Sequence, residues 1–465
     1  MSICLSGLTT KVSDGALTIN VAATHPLVRF ANALPWEELS ELVMADLMSS
    51  TVKKKWWTGR PLRLRVHLGA YLLQQLFNKT DRQIEYDIKD NAAYQIFCGR
   101  EIVKKWHCPD HTKIEEFRSR LSAETQRKCA NHLTSVAVRL KFAKASQMDI
   151  DSTIQEANIS YPSDMNLLGK LAAKAKQVAD YLVKKSDVLK ETIPSINLKK
   201  IKSQVRAIFF KKKNTSEERR SLQRTLWRTV CSEVKPIIQF CEQLPAGLLA
   251  SMPWNIQRLI NQISTHARKY LIDVAFFIRH GEMQKGKLLA FHAQEVSCFN
   301  KNKLDKRLQF GRNIQLGRVG GNFLIVGSSD TVRQEDKQSI QPMLELHAEL
   351  FGKNTLDSVT ADKGYYSKKN EKIIQTASVN EIGLQKPQQK NKNSITVKPQ
   401  NVSESLINRR AGIEPLIGHA KQKGQLGKSR MKYDLTTKAA AYASVLGFNA
   451  RQLIRYLNGA TSLCK

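Results

Sequence analysis

Acidic residues are in short supply. The 465-residue chain sets 41 Asp and Glu against 74 Lys and Arg, a formal net charge of +33. Solubility needs far less charge, and a field this positive suits a polyanionic partner, the bland alternative being a merely basic protein. Also missing is any run approaching the roughly 18 apolar residues of a membrane-spanning helix, or a lipidation motif, so nucleic acid is favoured over a membrane surface. Met1-Ser2-Ile3-Cys4-Leu5 lacks the basic lead-in of a secretory signal, which makes a cytoplasmic protein the expectation. The eight cysteines form no CxxC pair and fit reduced, mostly buried thiols. His107, Cys108 and His111 lie close together but lack the second ligand pair of a structural zinc site. No internal repeat is visible. What is present, 42% apolar and 25% charged residues, is a globular composition long enough for two to four domains.

Along the chain, residues 1–22 form an N-terminal tail and 23–140 a helical N-terminal domain. Leu62, Leu64, Val66, Leu68, Leu72, Leu73 and Leu76 crowd one segment that ends at Asn78-Lys79. Capping boxes are expected at Thr80–Gln83 and Thr112–Glu115, where a Thr hydroxyl can take an orphan amide while the residue three on reaches back. Short helices and tight turns, with Arg60, Arg63, Arg65 and Arg82 expected to be exposed, suit a helix-turn-helix-like DNA-binding module or a helical dimerisation module. Trp56-Trp57 beside Lys53–Lys55 would stack on unpaired bases or pack in a core.

Near residue 145 the period changes to that of a strand, Met148–Ile154, with Asp149, Asp151 and Thr153 on one face. Residues 166–285 are helical again and form a basic insertion: 166–235 carry 18 Lys and Arg against 6 Asp and Glu. Within it Lys211, Lys212, Lys213, Arg219 and Arg220 read singly as a solvated charge run and together as a phosphate-tracking surface. Strands are expected at Leu288–His292, Leu308–Leu316 and Asn322–Val326, the last two as a hairpin through Gly317, Gly320 and Gly321. A helix at 337–352, a strand ending at Ala361-Asp362, a helix capped by Ser367 and a strand at Glu381–Leu384 follow. Residues 386–405, poor in large apolar groups, are expected as a flexible loop. Beyond them Ile413, Leu416, Ile417 and Ala420 make a helical stripe, and Pro415 calls for a kink or a helix start.

That order is the one of an α/β RNase H-like core, a mixed sheet with flanking helices, built from 141–165 and 286–465. In such a core, carboxylates from two strands and one helix meet over paired metals. Asp151, Asp362 and Glu414 occupy the corresponding positions. Asp149 is the rival to Asp151, and Glu156 and Asp164 are either metal-proximal or a polar helix start.

The words themselves narrow the reading. Asp151-Ser152-Thr153, Glu156–Asp164, Thr360-Ala361-Asp362-Lys363-Gly364-Tyr365-Tyr366 and Arg409–His419 resemble signatures of DDE transposases in the broad insertion-sequence-five group. Thr80–Glu85, Asn91–Gly99, Pro109–Ile114 and Phe310-Gly311 with Ile314–Leu316 are similar to that group as well, so the resemblance runs from about residue 23 to 457. The related insertion-sequence-four signature Tyr-x2-Arg-x3-Glu-x6-Lys is met by Arg410, Glu414 and Lys421, with Ile407 in the Tyr position. The resemblance implies catalysis by Asp151, Asp362 and Glu414 with two Mg²⁺ ions, or Mn²⁺ in their place. It also implies double-stranded DNA partners, the terminal inverted repeats and the target, with cleavage followed by strand transfer. Because transposition joins two ends to one target, a homodimer assembled on DNA is expected. A non-catalytic DNA-binding derivative would have lost the carboxylates, a purely structural module would neither bind nor cut DNA, and a resolvase on the same fold would lack the N-terminal words.

Overall fold

The computed structural model describes residues 2–5, 8–13, 16–49, 64–99, 108–185, 193–210, 215–282, 284–300, 308–328, 335–386 and 403–459. The chain divides into two compact units: Met1–Asn158 with Cys298–Met431 and Leu435–Lys465, and Ile159–Ser297 with Lys432–Asp434.

The first unit is mixed α/β. Its start, set apart above as a tail, carries an antiparallel meander of β1 (Ser2–Leu5), β2 (Leu8–Ser13) and β3 (Ala16–Val21). The signal was there in the β-branched residues Thr9, Thr10, Val12, Thr18, Ile19 and Val21, with Asp14-Gly15 between the last two strands in sequence. Helices Pro26–Ala33, Trp36–Ser49, Leu64–Phe77, Asp81–Asp90, Ala92–Phe97, His111–Arg120 and Ala123–Arg139 follow. The capping box at Thr80 and Gln83 forms. The second expected box does not: Asp110, two residues earlier, accepts the Lys113 amide and also takes the Thr112 hydroxyl. A carboxylate at the N-cap suits the helix dipole as well as the orphan amide.

A six-stranded sheet forms the centre of this unit. Its strands are β4 (Lys144–Glu156), β5 (Ser297–Asn300), β6 (Leu308–Gly320), β7 (Phe323–Val326), β8 (Ser358–Ala361) and β9 (Glu381–Leu384). The order is β5-β6-β4-β8-β9, with β7 also on β6. β4 is antiparallel to β6, and β6 to β7, whereas β4, β8 and β9 run parallel. The β6–β7 hairpin turns at Gly320 and Gly321, the latter at φ +124°, where a side chain is strained.

β7 lies against helices from both ends of the chain. Asn131 donates to the Val326 carbonyl at 3.0 Å and accepts its amide at 2.8 Å. Asn449, from helix Asp434–Leu457, does the same for Leu324 at 2.8 and 3.0 Å, and the Thr134 hydroxyl joins on that carbonyl. The backbone groups a neighbouring strand would have taken are thereby satisfied by buried side chains. One continuous apolar core runs from Phe30 and Tyr71 through Ile150 and Ile325 to Leu446.

The second unit is helical: Asp164–Lys185, Leu198–Phe210, Ser216–Gln243, Ala246–Ala250 and Trp254–His280 enclose their own core of Leu168, Val230 and Ile263 among others. Its last stretch corrects the strand expected at Leu288–His292. No ladder forms there; Phe291 is buried with its ring 5.3 Å from that of Tyr270, so the apolar run belongs to a helical core. Asp164 begins its helix as a structural group, pairing with the half-buried Lys287 at 2.5 Å and accepting from the Tyr270 hydroxyl at 3.4 Å.

Candidate active site

The parallel ladder aligns Asp149 with Thr360 and Ile150 with Ala361. Alternation then sends Ile150 and Ala361 into the core, while the next residues, Asp151 within β4 and Asp362 just past the end of β8, follow the last pair of the parallel ladder on the other face. Neighbouring strands run about 4.8 Å apart. Asp151 is half-buried and Asp362 exposed. Close to both is Tyr365, whose buried hydroxyl donates to Gln315 Oε1 at 2.7 Å. Burial pushes the Tyr365 hydroxyl's pKa well up, and the negative charges of Asp336, Asp151 and Asp362 push it further. These three carboxylates therefore act on one phenol.

Glu414 arrives on helix Ile413–Gln422, which packs on the sheet through Ile413, Leu416, Ile417 and Ala420, the stripe expected from spacing. Pro415 sits in its first turn, where a missing amide costs nothing, and the preceding helix Glu404–Ala411 stops at Gly412. The break does not part Arg410 from its neighbours. The Arg410 guanidinium stands 4.0 Å from Asp362 and 3.7 Å from Glu414, so one cation joins a strand-end carboxylate to a helix carboxylate. Lys421 is half-buried near the far end of the Glu414 helix.

Asp149, two residues before Asp151, is only 2% exposed and already committed. It accepts from Thr360 Oγ1 at 2.7 Å and Arg409 Nε at 2.8 Å, and lies 3.6 Å from Arg318 Nη1. Arg318 in turn donates to the carbonyls of Gly321 and Arg409, and Arg409 to Ser358 Oγ. A Cβ on Gly412 would lie 1.9 Å from Arg318 Nη1, so glycine is required for this approach. Asp149 is thus the buried anchor of the helix that presents Arg410. Sequence reasoning missed this hub, and missed Asp336, which accepts from Asn313 and Gln315 at 3.2 Å each. Asp336 sits in a single 3-10 turn with no periodicity to mark it.

Other positions fare differently. Arg82 is exposed on helix Asp81–Asp90, and Arg219 and Arg220 on the first turns of Ser216–Gln243. Arg65 corrects its expected exposure: it is half-buried, with its guanidinium carbon 3.1 Å from the Trp36 ring centroid, because a flat guanidinium packs well on an indole. Burial pushes the Arg65 pKa down to about 10. Arg60, Arg63, Lys211, Lys212, Lys213, Trp56 and Trp57 fall outside the described residues, as does most of the loop expected at 386–405. His107 does too, and the His111 ring is held by Glu85 at 2.8 Å. Among the described residues, no three His, Cys, Asp or Glu side chains lie close enough to hold a metal as they stand. Nor, among them, is any helix long and apolar enough to cross a membrane.

Residues 17–120 match the family model of a transposase domain (DUF772). That match supports a transposase family and points to DNA transposition, and a transposase domain implies a DNA-cutting enzyme in general terms. No curated protein and no solved structure matches the chain.

Proposed function

We propose that the chain is a DDE transposase of the insertion-sequence-five-like group, binding terminal inverted repeats and cutting and joining DNA with Asp151, Asp362 and Glu414. The observation that carries this reading is that Asp151 and Asp362 directly follow the last pair of the parallel β4–β8 ladder, with Arg410 linking Asp362 to Glu414. The sheet supports an RNase H-like core: a long strand between an antiparallel hairpin on one side and two parallel strands on the other, with Asp151 and Asp362 next after the last pair of the parallel β4–β8 ladder. The transposase-domain match in residues 17–120 supports it independently.

The donor set fits Mg²⁺, or Mn²⁺ in its place. All three candidates are carboxylates, the hard oxygen donors such cations prefer, and a positive charge, Arg410, already lies between two of them. A pair of ions, when bound, supplies an activated attacking oxygen and neutralises the leaving one. The chain's own residues do the rest. Arg410 would hold a scissile phosphate, and Asp149, through Arg409, anchors the helix that carries Arg410 to β4. Arg82, Lys421, Arg219 and Arg220 would neutralise backbone phosphates, with two protomers assembling on two DNA ends.

The test is nicking of terminal-repeat DNA by Asp151→Asn, Asp362→Asn and Glu414→Gln. Each is expected to lose at least about a thousandfold in rate, the scale of removing a group essential to charge stabilisation, while still binding DNA. Near-normal nicking by any one of them removes that residue from the site.

A further inference from the structure

A cavity of about 530 Å³ opens in the first unit away from the three acids, lined by His25, Phe77, Tyr94, Lys423, Arg451 and Arg455 among others. Its size is that of a small-molecule site, roughly 300–1,000 Å³. Its ionisable lining is of one kind, since His, Lys, Arg and the Tyr phenol contribute and no Asp or Glu does. Two features suit different parts of one ligand. Phe77 and Tyr94 stack with centroids 5.2 Å apart and planes 13° off parallel, and Phe77 is 40% exposed, which leaves aromatic surface open.

Arg451 supplies the second feature. Nη1 donates to the Leu76 carbonyl at 2.7 Å and the Gln75 carbonyl at 3.3 Å, at the end of helix Leu64–Phe77. Gly447 permits this closeness, since a Cβ there would lie 2.2 Å from the Gln75 oxygen. Nη2 is buried and has no hydrogen-bond partner among the described residues. Burial pushes the guanidinium pKa down to about 10, so the group stays charged at neutral pH. A buried cationic N–H without an acceptor calls for an anion.

We propose that this cavity binds one nucleotide, its base on the Phe77–Tyr94 stack and its phosphate on Arg451, Arg455 and Lys423. An aryl group joined to a phosphate is the chemistry that an aromatic platform beside clustered cations selects. The nucleotide belongs either to an unpaired DNA strand or to a free nucleoside monophosphate. For the first source the proposal rests on the transposase reading. Helix Ile413–Gln422 carries Glu414 near its start and the cavity residue His419 five positions on, about 7.5 Å along the axis, within reach of one strand.

Calorimetry on the full-length protein tests this with dAMP, deoxyribose 5-phosphate and inorganic phosphate, alongside fluorescence titration of a single-stranded oligonucleotide bearing 2-aminopurine. Binding of dAMP is expected to be at least about fivefold tighter than deoxyribose 5-phosphate, the low end of base–aromatic stacking. Phe77→Ala should erase that preference. Lys423→Glu with Arg455→Glu, both exposed positions, should weaken binding about tenfold or more, with circular dichroism melts confirming the fold. The same dependence in the oligonucleotide but not in dAMP supports the cavity with a DNA strand as source; dAMP alone supports a free nucleotide. Equal binding of dAMP and inorganic phosphate, or affinities for both probes unchanged by the variants, overturns the proposal. Nucleotide binding in a protein that fails to nick DNA removes the catalytic reading alone; nicking without it removes this proposal alone.

Discussion

Replacing Asp149 by Ala should unfold the protein far more readily than replacing Asp151, although the two stand two residues apart on one face of β4. Asp149 is buried between Arg409 and Arg318 and also takes the Thr360 hydroxyl. Removing one member of a buried ion pair leaves a desolvated charge uncompensated and costs about 3–5 kcal/mol. Here two guanidinium groups lose their anion, and the orphaned Thr360 hydroxyl adds about 1 kcal/mol. The sum, about 4–6 kcal/mol, is a large share of the roughly 5–15 kcal/mol that holds a domain folded. Urea unfolding followed by far-ultraviolet circular dichroism measures it directly, as a fall in midpoint at unchanged slope. Asp149→Asn should fall between wild type and Ala, since it keeps an acceptor for Thr360 but no charge. Asp151→Asn should be close to wild type. An Asp149→Ala variant within about 1 kcal/mol of wild type would refute the anchor role, and the Arg409 network with it.

Three further outcomes rest on other features. Gly412→Ala should destabilise the protein and abolish nicking, because the new methyl would occupy the place of Arg318 Nη1; a normal melting temperature would show that the approach is adjustable. The Glu85 carboxyl is held down to about 2 by hydrogen bonds from Lys89 and His111. Its contribution is therefore present above the ordinary carboxylate value near 4.5 and lost as pH falls toward 2, so the melting gap between wild type and Glu85→Gln should narrow across that window. Arg219→Gln with Arg220→Gln should flatten the salt dependence of DNA binding by about 0.9 in log–log slope for each phosphate left unneutralised, and an unchanged slope assigns these two arginines some other role.

Much of the sheet was legible because its signals are local. β4, the β6–β7 hairpin, β9 and the Ile413–Ala420 stripe are read from period and glycine placement, and of the kink or helix start expected at Pro415 it is the helix start that forms, the first turn being where a proline ring is tolerated best. Leu288–His292 failed for the converse reason: a short apolar run looks the same whether a strand or a helical core buries it. The hub at Asp149 lay beyond reading. Its partners Arg318, Thr360 and Arg409 are far apart in sequence, and nothing along the chain distinguishes an Asp that will be buried from Asp151, which is left half-buried. Arg65 and Arg82 look alike in sequence, and only the placement of Trp36 separates the packed one from the exposed one.

The side-chain amides that close β7 also impose an order in time. Strand β7 leaves the ribosome well before Asn449, and until helix Asp434–Leu457 is synthesised the Leu324 amide lacks its acceptor and its carbonyl keeps only the Thr134 hydroxyl. A polypeptide released early leaves that half of the β7 edge open while Asn131 still covers Val326, and an open strand edge is a surface on which other chains can pair. Completing translation is thus a condition for a fully closed sheet edge, since the last helix supplies the side chain that finishes it.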